Sequence, residues 1–163
     1  NAPHYQHSHI GYNYRMSNVV AAIGRGQMVV LNERIAARRA NYERYLKIFG
    51  DINRKGYRVD LLPEPEGFFS NRWLTTVTID PAMNRGISRE TLRLAFEAEN
   101  IESRPLWKPM HLQPVFAGTA FYGDGTSESL FEQGLCLPSG SNLSAEEWVR
   151  IEDVVHAVFS ACL

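Results

Sequence analysis

Apolar residues Leu31, Ile35, Tyr42, Tyr45 and Phe49 recur at steps of three, four or seven, the spacing that puts side chains on one face of an α-helix. Ser17 or Asn18 can accept the free amide hydrogens of a first turn, and Gly50 is placed for a left-handed stop. The pattern predicts one continuous helix over 17–49. Gly24 and Gly26 inside it each cost about 1 kcal/mol relative to Ala. Two explanations fit them: close packing of another helix, or proximity to an active site or subunit boundary.

Beyond Gly50 the texture changes. Tyr57 to Leu61 reads as extended, a linker with Pro and Gly runs through Gly67, and Trp73 to Ile79 is rich in β-branched residues and bounded by Asp80-Pro81. The last of these is expected to be a central strand. Ser88 precedes a second helical pattern through about Glu99, and Ile101 opens another extended segment. Ser127 is expected to cap a short helix to Gln133, and Ser144 with Glu147 forms an S-x-x-E capping box for a last helix through Phe159. This order suits an α+β fold: a long N-terminal helix plus a small sheet covered by helices. The expected organisation is a single domain over 1–163, with a loop over 1–16, the long helix over 17–49 and a small domain over 57–163.

The charge balance narrows the function. Lys and Arg total 17 against 18 Asp and Glu, a net charge of -1, so no bulk field draws the chain to nucleic acid or an anionic membrane. Apolar runs such as Val19 to Ile23 fall far short of the roughly 20 residues needed to span a bilayer. Cys136 and Cys162 are too few for a disulfide framework, which points to a reducing cytoplasm. Cys136 between two leucines reads as a buried small residue. His7 and His9 would share a face of an extended strand near His4, but no further ligand stands at a recognisable spacing, and a surface loop is expected rather than a metal site. The start Asn1-Ala2-Pro3-His4, with neither initiator Met nor signal region, suits an excised piece of a longer protein.

Four segments give a more specific reading. Gly11-Tyr12-Asn13-Tyr14-Arg15-Met16-Ser17 resembles the GYNYRMS signature of the DegT-type sugar aminotransferases, which use pyridoxal 5'-phosphate. Ser70 to Thr76 and Glu102 to Phe116 resemble the second half of members that aminate nucleotide-linked keto sugars for bacterial glycan and pilin glycosylation. Leu135-Cys136-Leu137-Pro138-Ser139, followed by Leu143 to Glu147, is similar to the family's closing pattern. The resemblance implies the C-terminal small domain of a fold-type-I aminotransferase, with glutamate as amino donor, a nucleotide-linked 4-keto-6-deoxy sugar as acceptor, and a homodimer. It also implies a Schiff-base lysine upstream of the signature. Lys47, Lys55 and Lys108 sit in nothing like that motif, so no catalytic residue is assigned here and the isolated chain is expected to be inactive.

The resemblance gives Asn13 the cofactor phosphate of the neighbouring subunit, a task that suits a carboxamide, which donates without adding charge. Asn13 could instead simply turn the loop. Tyr14 and Arg15 follow as substrate-contacting candidates, Arg15 through a two-pronged contact to a carboxylate or diphosphate, or else through a structural ion pair. Arg104, Trp107, Lys108 and His111 form the second cluster. Rings stack on sugar or uracil faces, cations neutralise diphosphate, and imidazole donates to a hydroxyl or serves as a hydrogen-bonded structural group. Strand alternation would aim Arg104 and Lys108 alike, with Trp107 opposite. Arg34, Arg38, Arg39, Arg44 and Lys47 read as a solvated helix face. The rival function is a noncatalytic sugar-binding or assembly domain that lost the lysine-bearing half.

Overall fold

The computed structural model describes residues 12–160, and the chain divides into two compact units, Asn1–Asn32 and Glu33–Leu163. In the first, α1 (Asn18–Val29) opens where the Ser17 hydroxyl accepts from the Val20 amide at 3.3 Å, as its sequence position predicts. No residue of α1 is buried. The single helix expected over 17–49 is instead two. Val30 leaves helical geometry at φ −105° and ψ 7° and turns its amide back to Gln27, ending α1 before α2 (Leu31–Arg54) begins.

Gly50 does not stop α2, which runs another turn to Arg54. The reversal falls at Gly56, whose φ of 90° lies in the left-handed region that glycine enters without steric cost. Asn53 explains the later exit. Its side chain accepts from the Val59 amide at 2.8 Å and donates to the Val59 carbonyl at 2.9 Å, tying the end of α2 to the first strand.

Four antiparallel strands follow: β1 (Val59–Leu61), β2 (Thr75–Ile79), β3 (Arg104–Pro105) and β4 (Gly134–Leu137), in the spatial order β1-β2-β4-β3. β2 is interior, as its composition predicts. Its residues Thr75, Val77 and Ile79 are buried while Thr76 and Thr78 are half-buried, the period of two that a sheet with one closed face demands. Register places Thr75 opposite Leu137 and Val77 opposite Leu135, so these four share one face. α3 (Arg89–Ala98) starts at a capping box between Ser88 and Thr91. α4 (Thr126–Gln133) is capped by left-handed Gly125 rather than Ser127, with Asp124 accepting from the Thr126 amide. α5 (Ala145–Ser160) carries the expected reciprocal box: Ser144 donates its amide to Glu147 at 2.8 Å and accepts from the Glu147 amide at 3.2 Å.

The core is made where the sheet's closed face meets α2, α3 and α5. Val77, Ile79 and Leu135 pack with Phe49 and Ile52, Leu92 and Phe96, and Val155 and Phe159, all essentially without solvent exposure. Aromatic edges lock it. The Phe159 ring stands edge-on to Tyr57 at 5.2 Å, and Tyr45 lies 4.9 Å from Trp148. Burial pushes the Tyr45 phenol well above its ordinary range, and its hydroxyl donates to the Pro138 carbonyl at 2.9 Å.

The arginines of α2 are more than a solvated face. Arg44 pairs with Glu152 of α5 at 2.6 Å over the Trp148 ring, Arg38 donates to the Trp73 carbonyl, and Arg39 grips Glu64 at 2.6 Å and the Ser70 carbonyl at 2.6 Å. Sequence spacing showed their common face but not the loop 62–73 that folds back onto it.

Candidate functional site

The residues singled out in the sequence fall in two places, one in each unit. In the N-terminal unit Asn13, Tyr14 and Arg15 are exposed just ahead of α1. The Asn13 carboxamide oxygen accepts from the Arg15 amide at 3.0 Å, a local turn that fixes the side chain by its acceptor end. Its amino group keeps two donors, the chemistry a phosphate oxygen requires. The Tyr12 and Tyr14 rings lie 5.8 Å apart. Around Gly24 and Gly26 nothing among the described residues lies within contact distance of where a Cβ would stand, so close packing inside this unit does not account for them. His4, His7 and His9 lie outside the described residues.

In the second unit, β3 and the loop behind it carry Arg104, Trp107, Lys108 and His111. β3 spans two residues only, so alternation along a strand does not set the direction of Trp107 and Lys108 as the sequence suggested. Pro105 lacks an amide hydrogen for the ladder, and the last tie is the Leu106 amide donating to the Gly134 carbonyl at 3.2 Å. Arg104 sits opposite Cys136 and pairs with Glu102 at 2.5 Å. Cys136 is buried, as expected, and burial pushes its thiol up.

Arg104 and Trp107 line a cavity of about 820 Å3, together with Leu74, Leu106, Leu137, Ile151 and Arg150. That is large enough for a drug-sized ligand, and a mostly apolar wall with a few polar groups is the usual composition of such sites. The Ser103 hydroxyl, also on this wall, is buried without a hydrogen-bond partner among the described residues. Lys108 is exposed beside it in sequence, as are Lys47 and Lys55 elsewhere.

His111 is placed differently. Its Nε2 lies 2.6 Å from Glu128 of α4, and its ring stacks on Phe121 at 3.6 Å. The Glu128 carboxyl is held below its ordinary range, first by amide hydrogen bonding at the start of α4 and further by His111. The structure therefore brings Arg104 and Trp107 to one cavity and fastens His111 to α4. Sequence reading missed Glu128 and Phe121, since neither lies near His111 in the chain. It also missed the neighbour of Trp107: the Trp73 ring lies 6.2 Å from it. The signal was present in Ser70-Asn71-Arg72-Trp73, where a tryptophan is preceded by three polar residues.

The second unit is thus a small antiparallel sheet backed by helices and bearing a cavity, a mixed α+β fold. The chain belongs to the DegT/DnrJ/EryC1/StrS aminotransferase family, whose model matches residues 1–159. It is 43% identical over 162 residues to EpsN of Bacillus subtilis (strain 168), provisionally named a pyridoxal phosphate-dependent aminotransferase; the match covers 97% of this chain and 40% of EpsN. It is 30% identical over 156 residues to the GDP-perosamine synthase of Escherichia coli O157:H7, covering 96% of this chain and 40% of that enzyme. Among solved structures, DesV of S. venezuelae superposes with a TM-score of 0.75 at 26% identity, over 95% of this chain and 40% of DesV. The chain thus spans about 40% of the length of the curated relatives it matches. No helix among the described residues is long and apolar enough to cross a membrane.

Proposed function

We propose that this chain is the C-terminal part of a pyridoxal 5'-phosphate-dependent transaminase that moves an amino group from glutamate to a nucleotide-linked 4-keto-6-deoxy sugar for glycan or pilin glycosylation. The observation that carries the reading is the cavity faced by Arg104 and Trp107, in a chain that belongs to the DegT/DnrJ/EryC1/StrS aminotransferase family and resembles GDP-perosamine synthases. An apolar wall receives the deoxy sugar face, and a guanidinium beside it suits a diphosphate.

The residues present fit the cofactor. Asn13, anchored through its oxygen and free to donate through nitrogen, would hold a phosphate oxygen, reaching across a homodimer to the neighbouring subunit. When bound, pyridoxal phosphate supplies the carbonyl that takes up and gives back the amino group. Tyr14 and Arg15 border the same loop and face the substrates. On this reading the lysine that anchors the cofactor belongs to a larger domain, and the exposed Lys47, Lys55 and Lys108 are not assigned that task. The reading places the enzyme in the cytoplasm, in keeping with the few cysteines of this chain.

Lys108 adds charge to the sugar-nucleotide wall. His111, fixed by Glu128, orders the loop that carries Lys108 and presents its remaining ring nitrogen to a sugar hydroxyl. The two half-reactions share a cofactor and differ in substrate, so a residue that serves only the sugar affects only the second. In the intact enzyme, His111→Ala should release 2-oxoglutarate from glutamate at the wild-type single-turnover rate and lose amination of the keto sugar. Equal impairment of both would remove His111 from the sugar site, and loss of neither would leave it a purely structural group.

A further inference from the structure

Two tryptophans stand in solvent where folding alone would bury them. Trp73 is 60% exposed and Trp107 66%, with ring centroids 6.2 Å apart and planes inclined by 36°. The backbone carrying Trp73 is held from every side. Arg72 before it is buried at a φ of 50°, a left-handed conformation that costs a non-glycine residue on the order of 1 kcal/mol or more. Its guanidinium lies 3.6 Å from the centre of the Tyr42 ring and donates to the Leu62 carbonyl at 2.8 Å. The Trp73 amide donates to the Asn71 side chain at 3.0 Å, and Arg38 donates to the Trp73 carbonyl. Leu74, next in the chain, passes into the wall of the cavity that Trp107 also lines. A strained, braced backbone that carries an exposed indole holds the point of attachment of that ring in place before a ligand arrives.

We infer that Trp73 and Trp107 form a stacking platform for the nucleobase of the substrate, at the mouth of the cavity that takes its sugar. The inference rests on the nucleotide-linked substrate proposed above and adds Trp73 as a binding residue. Two cations stand near the pair: Lys108, adjacent to Trp107 in the chain, is exposed with no ion pair among the described residues, and Arg104 on the cavity wall is paired with Glu102, which a bound diphosphate would displace. Both are the groups a diphosphate attached to a stacked base would meet. Stacking tolerates any base, because each presents a π face.

The test uses the intact enzyme with UDP, GDP and dTDP as separate probes and inorganic pyrophosphate as a ring-free control. Of this chain's tryptophans Trp73 and Trp107 are exposed and Trp148 is buried, so the part of the ligand quenching that disappears when Trp73 and Trp107 are both replaced by Phe reports on the pair. At least one nucleoside diphosphate should quench saturably. Trp73→Ala should weaken that binding by roughly 5- to 150-fold and leave pyrophosphate affinity unchanged, the range expected for one stacked base. Trp73→Phe, which keeps a ring, should recover most of the loss. Unchanged nucleoside diphosphate affinity in Trp73→Ala would overturn the platform, and a simultaneous change in sedimentation would identify the tryptophans as a protein-facing surface instead. Wild-type enzyme that binds none of the three would overturn the nucleotide-linked substrate itself.

Discussion

The helices α1 and α2 are consecutive in the chain and opposite in what they bury. α1 carries Val19, Val20, Ile23, Met28 and Val29, all exposed, and α2 sinks Tyr42, Tyr45, Ile48, Phe49 and Ile52 into the core. α1 is nonetheless the more apolar sequence. Burial follows from what an apolar face meets, not from how apolar it is: Tyr45 and Phe49 find Trp148 and Phe159 of α5. α2 also has polar anchors along its length, with Asn41 donating to the Gly140 carbonyl at 2.8 Å and Asn53 holding Val59. Among the described residues of its own unit, none covers the apolar side chains of α1.

The strongest way to break this comparison is to remove one side chain from each helix. Phe49→Ala should destabilise the chain by about 3–5 kcal/mol, the cost of an emptied aromatic site in a packed core, read as a lower urea midpoint. Ile23→Ala in the same chain should change it by no more than about 0.5 kcal/mol. Comparable losses would mean that α1 is packed as tightly as α2.

The same contrast holds for polar groups. Asn84 is fully buried, accepts from the Arg58 amide at 2.8 Å and donates to the Arg58 and Asp80 carbonyls at 2.8 Å each. Asn84→Ala leaves those groups without partners and should cost about 1–3 kcal/mol in the same titration. Ser144→Ala, at the exposed start of α5, should cost only about 1 kcal/mol because water can replace a lost cap.

What could be read from the sequence divides along the same line. The helix start at Ser88, the box at Ser144, the face shared by Tyr42, Tyr45 and Phe49, and the strand expected over Trp73–Ile79, which begins at Thr75, are set by neighbours within a few residues, and the structure has each of them. The break at Val30 and the continuation through Gly50 were not legible. The continuation depends on a partner that helical spacing does not contain, the hold of Asn53 on Val59, and the break at Val30 shows only a local turn of its amide to Gln27. The site behaves alike. Arg104 and Trp107 were found through a motif and share a cavity, whereas Trp73 and Glu128 enter only through folding, 34 and 17 positions from Trp107 and His111 respectively.

A smaller effect sharpens the account of the loop that carries Trp73. The Arg39 guanidinium, with help from the Ser70 amide, lowers the Glu64 carboxyl from 4.5 to about 2. A carboxyl depressed on folding adds stability above its unfolded value and loses it as pH falls through the folded one, so this contribution should fade between pH 4.5 and 2. Comparing acid titrations of the wild type and Glu64→Gln by circular dichroism checks it. The variant should be less stable at neutral pH and converge on the wild type near pH 2; parallel curves would contradict the pair's role.

The most direct measurement compares the two regions in the intact enzyme through two dissociation constants, one for pyridoxal phosphate and one for a nucleoside diphosphate. If Asn13 serves the cofactor and the Arg104–Trp107 cavity serves the sugar nucleotide, Asn13→Ala should weaken cofactor binding by about 10- to 150-fold, the value of one hydrogen bond to a charged group. Its nucleotide affinity should stay at the wild-type level. Unchanged cofactor affinity in Asn13→Ala, or an equal loss of both ligands, would contradict the assignment of the two sites.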